Sequence, residues 1–226
     1  MTTFFMNGQI VINELDCDTP STDDREFIEL KSDSPNFPLD GYVLVLFNGT
    51  GTQANLSYYV IDLDGCTTDV NGIFVIGNSL VSPVPGKYLP DNIFQNGPDG
   101  VGLYLGSSSD FPNLTQATTT NLIDALVYGT NDADATALMA LLGETTQWNE
   151  SAGTGGSTAN SIQRKTDGTY ESKTPTPGAN NDGSGFIYNG LTIIVGASQY
   201  NEGQSFNITI TSQTVVATDT TFVINL

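Results

Sequence analysis

The chain has 226 residues, of which 38% are hydrophobic, so a substantial core can form. Only 14% of the residues are charged, and 25 Asp and Glu stand against 6 Lys and Arg, for a formal net charge of −19. This charge argues against nucleic acids and anionic membranes as partners, because their phosphates would be repelled, and it favours cations or plain solubility.

Short apolar runs separated by turn signals predict β-strands along the first two-thirds of the chain. Each run is too short for a buried helix, and the run "GYVLVLF" ends at the turn dipeptide Asn48-Gly49. The intervals between runs suit a β-sandwich. The predicted strands are 9–15, 26–30, 41–47, 56–63, 72–77, 100–105 and 121–128.

One helix is predicted within "DADATALMALLG". Ala135, Leu138, Met139 and Leu142 are spaced to form one apolar stripe. Asp132 or Asp134 is expected to cap the first turn, and Gly143 is expected to take the left-handed conformation at the end. We expect this helix to cover an open end of the sandwich.

The remaining sequence predicts a domain boundary near residue 181. The segment "SIQRK" is expected to be the last strand of the first domain, and "KTPTPGANNDGSG" is expected to be a linker. Three further strands are predicted at 186–195, 204–211 and 220–226. We therefore expect a β-sandwich domain over 1–181 and a linker with an incomplete β module over 182–226, whose open edges favour self-association.

Several phrases, taken in order, resemble the bacterial lamin-tail domain, an immunoglobulin-like β-sandwich, over residues 8–181. They are "VINEL" with "EFIEL", "LDGYVLVLFNG", "GIFVIGN", "FQNGPDGVGLYL", "IDALVYG", "SIQRKTDGTYE" and "TPTPGANN". The tail from residue 187, with "SQYNEGQSFNITIT", more weakly resembles the opening strands of a Calx-β-like or other Ig-like repeat. The fold class expected is all-β: an immunoglobulin-like sandwich with one short helix and a partial second β module.

The resemblance implies a non-catalytic accessory module of a larger bacterial secreted or cell-surface protein. Such a module would have a structural or adhesive role outside the cell, with a protein or glycan partner. An alternative is a carbohydrate- or polymer-binding module beside a secreted hydrolase or nuclease. Trp148, the single tryptophan, could stack on a sugar, although we expect it to plug the sandwich end instead.

Composition also leaves little room for catalysis. The chain has no histidine, which excludes histidine triads and nearly all catalytic zinc arrangements. Its four lysines lie in polar stretches, where we expect them at the surface. A glycosidase mechanism would have to use carboxylates alone, and the sequence singles out no pair. We therefore predict that the chain is not an enzyme.

A metal site is the remaining chemical candidate. The loop "LDCDTPSTDDRE" offers carboxylates and carbonyl oxygens, which are the ligands of Ca²⁺, although a solvated acidic loop beside Arg25 is the alternative. Asp62 and Asp64 form a second candidate metal site with fewer possible ligands. The predicted metal ligands in the loop are Asp16, Asp18, Asp23, Asp24 and Glu26.

The two cysteines, Cys17 and Cys66, follow apolar stretches. An oxidising setting would allow them to form a disulfide, and the alternative is two independent thiols. No apolar stretch approaches the length of about 20 residues that a membrane helix needs. The first residues, "MTTFFMNGQIVINEL", lack the basic region of a signal peptide. We therefore expect no membrane insertion.

Overall fold

The computed structural model describes residues 10–181, 191–195 and 208–212, and for the last two ranges it describes the backbone alone. The chain divides into two compact units, Met1–Phe186 and Ile187–Leu226. The first unit holds nearly all of the described structure. In the second unit two strands, Leu191–Val195 and Ile208–Ser212, form an antiparallel pair. They overlap two of the strands predicted for the tail, and the third, at 220–226, lies outside the described residues.

The first unit is mostly β-structure with one short helix. Its strands are β1 (Ile10–Asp16), β2 (Phe27–Ser32), β3 (Tyr42–Asn48), β4 (Ser57–Asp62), β5 (Ile73–Gly77), β6 (Lys87–Tyr88), β7 (Asp99–Leu105), β8 (Leu122–Gly129), β9 (Gln147–Asn149), β10 (Ser161–Arg164) and β11 (Tyr170–Lys173). Its helix is α1 (Thr136–Leu142), and four single 3-10 turns lie at Gly51–Gln53, Ser108–Asp110, Glu150–Ala152 and Ser157–Ala159.

These strands form two sheets. Sheet 1 has the order β11-β10-β1-β2-β5-β6, and sheet 2 has the order β4-β3-β7-β8-β9. Neighbouring strands are antiparallel except for the parallel pairs β5–β6 and β8–β9. The inner faces of both sheets share one core, in which Ile12 and Leu15 of sheet 1 join Leu44, Leu103 and Leu126 of sheet 2. The all-β prediction is therefore confirmed at the level of two packed sheets.

Sheet 2 is buried on both faces at β3, which explains the unbroken apolar run in its sequence. Leu44 and Leu46 belong to the core between the sheets, whereas Val43, Val45 and Phe47 belong to a second cluster with the helix. Successive residues of a strand point to opposite faces, so a run without alternation needs cover on both sides. The helix α1 supplies that cover on the outer face of sheet 2. Our expectation that it would close an open end of the sandwich was wrong.

The helix ends as predicted but begins differently. Gly143 is left-handed with φ of 75°, and its N–H returns to Ala140 and Met139 carbonyls. The N-cap is Ala135, and no side chain caps it. Asp132 instead accepts a hydrogen bond from Thr130 N at 3.0 Å. The amide of Ala135 donates to Gln147 Oε1 at 2.8 Å, so the bond comes from another segment and not from the expected aspartates.

Each of the seven strands predicted from apolar runs appears within a few residues of its expected position. Three short strands escaped prediction, because β6, β9 and β11 have only two to four residues and carry no apolar run. Among the described residues, no helix is long and apolar enough to cross a membrane.

Candidate functional site

The acidic loop between β1 and β2 spreads its carboxylates over several structural roles. Asp18 accepts from Ser157 Oγ at 2.5 Å, and Asp23 accepts from the Thr19 amide at 2.7 Å. Asp24 accepts from Thr22 Oγ1 at 3.3 Å and lies 3.7 Å from Arg25 Nη1.

The two ends of this loop are buried. Glu26 is fully buried, and its Oε2 accepts from the Ile93 amide at 2.8 Å. Asp16 is 6% exposed and accepts a hydrogen bond from the Asp18 amide. Within residues 10–181 and the two described tail strands, no three Asp, Glu, Cys or His side chains are grouped so that they could hold a metal ion. The predicted calcium site in the loop stays a prediction.

The second acidic candidate is a surface turn. Asp62 accepts from the Asp64 amide at 2.9 Å and from Ser108 Oγ at 2.7 Å. Asp64 accepts from the Gly41 amide at 2.7 Å. These hydrogen bonds link the loops around the end of β4, and a metal site at Asp62 and Asp64 stays a prediction.

The two cysteines are free thiols in the structure. Cys17 is fully buried, and its Sγ donates to Glu150 Oε2 at 3.1 Å while its amide donates to Glu150 Oε1 at 2.8 Å. Cys66 is half-buried. Both cysteines are thus described as thiols, and the disulfide that we considered between Cys17 and Cys66 stays a prediction.

A pair of glutamates lies side by side on the outer face of sheet 1. Glu14 of β1 is the direct cross-strand partner of Glu29 of β2, and both side chains are fully buried. Asn13 is the extra residue of a β-bulge beside them, and its Nδ2 donates to Glu29 Oε1 at 2.7 Å. Two carboxylates placed directly opposite each other are unfavourable unless other groups bond them, so their donors decide whether the pair is tolerated.

Those donors come from residues 174–181, which we call the strap. The strap crosses the buried glutamates after β11. Thr176 donates to Glu14 twice, through its amide and its hydroxyl, both at 2.8 Å. The Gly178 amide donates to Glu29 Oε2 at 2.7 Å, and Asn181 Nδ2 donates to the Asn13 carbonyl at 2.8 Å. The segment predicted as a linker is therefore a bonded part of the first unit.

Strand β10 completes the bonding of Glu14 from the other side. Ser161 Oγ donates to Glu14 Oε1 at 2.6 Å, and Gln163 Nε2 donates to the same oxygen at 3.2 Å. Lys31 lies on the same face of β2 and is only 3% exposed, so our expectation that every lysine lies at the surface was wrong. Its Nζ donates to the Asn71 carbonyl at 2.5 Å and to Asn180 Oδ1 at 2.7 Å, which ties a further strap residue to the sheet.

Buried carboxylates bonded to backbone amides occur throughout the first unit. Six acidic side chains, which we call the anchor carboxylates, each accept a hydrogen bond from the backbone amide of a segment distant in sequence. All six are fully or largely buried. The pairs are Glu14–Thr176, Glu26–Ile93, Glu29–Gly178, Asp99–Gly49, Asp124–Ile12 and Glu150–Cys17, at 2.7 to 2.8 Å.

Burial governs the protonation of these groups. It raises the pKa of Glu29 and of Glu150 to about 8, and that of Asp99 to about 7. Burial also raises the pKa of Glu14, against the opposing effect of its hydrogen bonds. Removing a carboxylate from water disfavours its charged form, and the amides offset only part of that cost. The raised pKa values therefore follow from structural burial and do not by themselves mark catalysis.

One anchor also joins the two sheets through an ion pair. Asp124 of β8 accepts from the Ile12 amide of β1 at 2.8 Å, and Arg164 Nη1 of β10 lies 3.2 Å from the same oxygen. Arg164 also donates to Tyr170 Oη at 2.9 Å, and that hydroxyl donates to the Ile12 carbonyl at 2.9 Å. Both charges of the pair are largely buried, with side-chain exposures of 16% and 14%. Such a pair fixes the relative placement of the sheets.

Truncation of Glu14 is expected to be costly. Glu14→Ala leaves the Ser161 hydroxyl and the Thr176 amide without their acceptor, so we expect a loss of about 3 kcal/mol in the free energy of unfolding. Urea denaturation followed by circular dichroism measures it. The control is Asp134→Ala, an exposed acid at the start of the helix, which should stay within about 0.5 kcal/mol of the parent. Equal midpoints for the two variants would contradict a structural role for Glu14.

Trp148 packs beside the core and not in a free loop. It lies on β9, half-buried, with its ring centroid 5.6 Å from that of Tyr170. The two rings line a cavity of about 310 Å³ together with Asn149, Glu171 and Ser172. The packing favours a structural role for Trp148, while the polar neighbours keep the sugar-stacking alternative open.

Comparisons of the chain with protein-family models, with curated proteins and with solved structures gave no match.

Proposed function

We propose that residues 1–181 form a lamin-tail-like module with immunoglobulin-like topology, and that it serves as a non-catalytic structural, adhesive or interaction part of a larger bacterial secreted or surface protein. One observation carries this proposal. Six buried acids, the anchor carboxylates, are candidates for acid–base chemistry in a chain without histidine, and each of them is bonded to a backbone amide.

A carboxylate pair that hydrolyses a glycosidic bond must flank a substrate in an open cleft. Glu14 and Glu29 form the most suggestive acidic pair, yet the strap covers both of them, and the Thr176 and Gly178 amides occupy their oxygens. The geometry therefore supports use of these acids to hold a rigid scaffold. A scaffold of this kind suits a module that presents its surface to a protein or glycan.

The test is a turnover assay on the full-length chain against polysaccharides, nucleic acids and phosphate esters. We expect product formation no faster than with a heat-denatured sample. The variant Glu14→Gln, Glu29→Gln should have a lower melting temperature than the parent. Product formation by the parent above that of the heat-denatured sample would overturn the non-catalytic proposal, and its loss in this variant at an unchanged melting temperature would assign it to Glu14 and Glu29.

The alternative function, polysaccharide or polymer binding, rests on the cavity beside Trp148 and Tyr170. Aromatic rings with neighbouring amide, carboxylate and hydroxyl groups suit a sugar ring and its hydroxyls. Retention on insoluble polysaccharides tests it, with Glu171→Ala as the probe variant, because Glu171 is only half-buried and its loss should not unfold the chain. Retention that Glu171→Ala weakens would favour this alternative, and no retention would exclude it. Self-association through the tail stays a prediction.

A further inference from the structure

A second cavity, of about 480 Å³, lies on the outer side of sheet 1 within the first unit. Its lining comes from the end of β1 and the loop after it, the start of β2, the loop after β5, the 3-10 turn Ser157–Ala159 and the strap. Asp16 and Phe27 are cross-strand partners there, and Leu15 and Cys17 on either side of Asp16 point into the core between the sheets. The alternation of β1 therefore directs Asp16 outward, toward this cavity.

Two buried polar atoms on the lining have no hydrogen-bond partner among the described residues. They are Asp16 Oδ1 and Thr19 Oγ1, in side chains that are 6% and 4% exposed. A buried polar atom without a partner is uncommon in a folded protein, and it marks a place where an additional group would be stabilising. Both atoms line the cavity and can accept a hydrogen bond. Burial raises the pKa of Asp16 to about 9, and a positively charged donor would favour its ionised form.

Apolar side chains make up much of the remaining lining, beside the polar residues Arg25, Ser82 and Thr158. Phe27 and Val81 are buried and belong to a small cluster on this face, while Leu80 is 56% exposed beside them. Pro175 and Pro177 of the strap complete the wall. A slot with a carboxylate in its lining and hydrocarbon along its sides fits an ammonium group carried on an apolar stem.

We propose that this cavity receives a lysine side chain of a partner polypeptide, with its ammonium group at Asp16 and Thr19 and its methylene stem along Phe27 and Val81. The inference rests on the proposed role as an interaction module and names the chemistry of its partner. The chain's own charge of −19 would attract a basic partner.

The residues that line the cavity favour a lysine of a polypeptide over a bare metal ion and over a simple amine. A bare metal ion needs several converging oxygens, and no group of three acidic, Cys or His side chains offers them in the described part of the chain. Arg25 lines the cavity, but its Nη1 lies by Asp24 at 3.7 Å and its side chain is 54% exposed. Its remaining guanidinium donors can bond main-chain carbonyl oxygens, which a peptide has and a simple amine lacks.

The test is a titration of the full-length chain with the peptide acetyl-Gly-Lys-Gly-amide, followed by the NMR shifts of the Thr19 and Val81 amides. The matched peptide with norleucine in place of lysine lacks only the ammonium group. We expect saturable shifts with the lysine peptide and at least about tenfold weaker binding of the norleucine peptide. Asp16→Asn should weaken lysine-peptide binding about tenfold, whereas Asp134→Asn, which also removes one charge, should leave it unchanged.

A second variant tests the cavity without changing Asp16, in case Asp16→Asn impairs folding. Leu80→Ser alters an exposed wall residue, so it should weaken binding by a few-fold without disturbing the fold. Equal binding by Asp16→Asn and the parent, or no saturable shift at about 10 mM peptide, the weak end of measurable binding, would overturn the proposal. Binding of pentylamine as tight as that of the peptide would assign the cavity to small amines, and the same Asp16-dependent shifts with Ca²⁺ alone would assign it to a metal ion. Each of these failures leaves the non-catalytic proposal untouched, since turnover decides that question separately.

Discussion

A chain that ends at Lys173 is expected to lose cooperative folding, whereas a chain that ends at Phe186 should melt within a few degrees of the 226-residue chain. The first truncation removes the strap and exposes Glu14 and Glu29 without the Thr176 and Gly178 amides. The second keeps the whole first compact unit. Thermal unfolding followed by near-ultraviolet circular dichroism distinguishes the two chains.

The size of the effect follows from the number of bonds involved. Loss of the strap removes both Thr176 bonds and the Gly178 bond, and it also removes Asn181, which donates to the Asn13 carbonyl. These four hydrogen bonds, three of them to carboxylates, contribute about 1 to 3 kcal/mol each, so their sum of about 4 to 12 kcal/mol approaches the whole stability of an ordinary domain, about 5 to 15 kcal/mol. A chain ending at Lys173 that melts as sharply and as high as the parent would show that the strap is a mere linker.

The strands of the fold could be predicted because their signal is local. Runs such as "GYVLVLF" and "GIFVIG" are short, rich in β-branched and aromatic residues, and bounded by glycine or asparagine. The turn before β7 also has a local signal, because Gly97 has a φ of 96°, a conformation that favours glycine. A side chain there would lie 2.6 Å from Gly129 Cα, so glycine is required by both conformation and space.

The anchor carboxylates could not be predicted as pairs, because their partners are distant in sequence. Glutamates within strand patterns could be flagged as needing a partner, and Glu14, Glu26 and Glu29 were visible in that way. Nothing local indicates that Glu14 meets Thr176 across the sheet. Yet the phrases that carry the resemblance contain both members of that pair, in "VINEL" and "TPTPGANN", which gives those phrases a physical role in the fold.

The acidic loop between β1 and β2 shows what a count of carboxylates in the sequence cannot predict. Its density of carboxylates predicts a cation site, but each acid has a different neighbour once the chain is folded. Glu150, which the sequence did not single out, lies against Cys17 instead of Cys66. A sequence-based inference that counts ligands within one loop cannot see donors supplied from other loops, and these donors decide what the acids do.

The protein is expected to be most stable in mildly acidic solution, and its melting temperature should fall by about 10 °C or more from about pH 4.5 to about pH 8. In the unfolded chain the carboxyls ionise near their ordinary pKa of about 4. In the folded chain the pKa values of Glu29, Glu150 and Asp99 are raised to about 8, 8 and 7, with burial as the main cause. The folded state therefore holds more protons than the unfolded state between these limits, and its stability is lost as the pH rises.

The expected loss of stability stays measurable even if the carboxyl groups are perturbed much less than this. If the folded-state pKa of Glu29, Glu150 and Asp99 lies in each case only about 1 above the unfolded-state pKa, about 4 kcal/mol is lost in all, and about half of it, or about 2 kcal/mol, is lost above pH 4.5. This corresponds to about 5 °C for a chain of this size. Asp62 and Asp167 have lowered pKa values and act in the opposite direction, but Asp62 is only half-buried and Asp167 is exposed, so both contribute little. Self-repulsion of the net charge of −19 adds to the loss at high pH.

Differential scanning calorimetry across this pH range makes the measurement, with Glu29→Gln as the probe and Asp134→Asn as the control. Glu29→Gln removes one titrating group, so its melting temperature should change less with pH than that of the parent, although its amide nitrogen opposes a donor N–H and lowers stability at the acidic end of the range. Asp134→Asn should follow the parent curve. A stability maximum at neutral pH in the parent would show that Glu29, Glu150 and Asp99 are ionised in the folded protein, and the amides that bond them would then have to offset their burial in full.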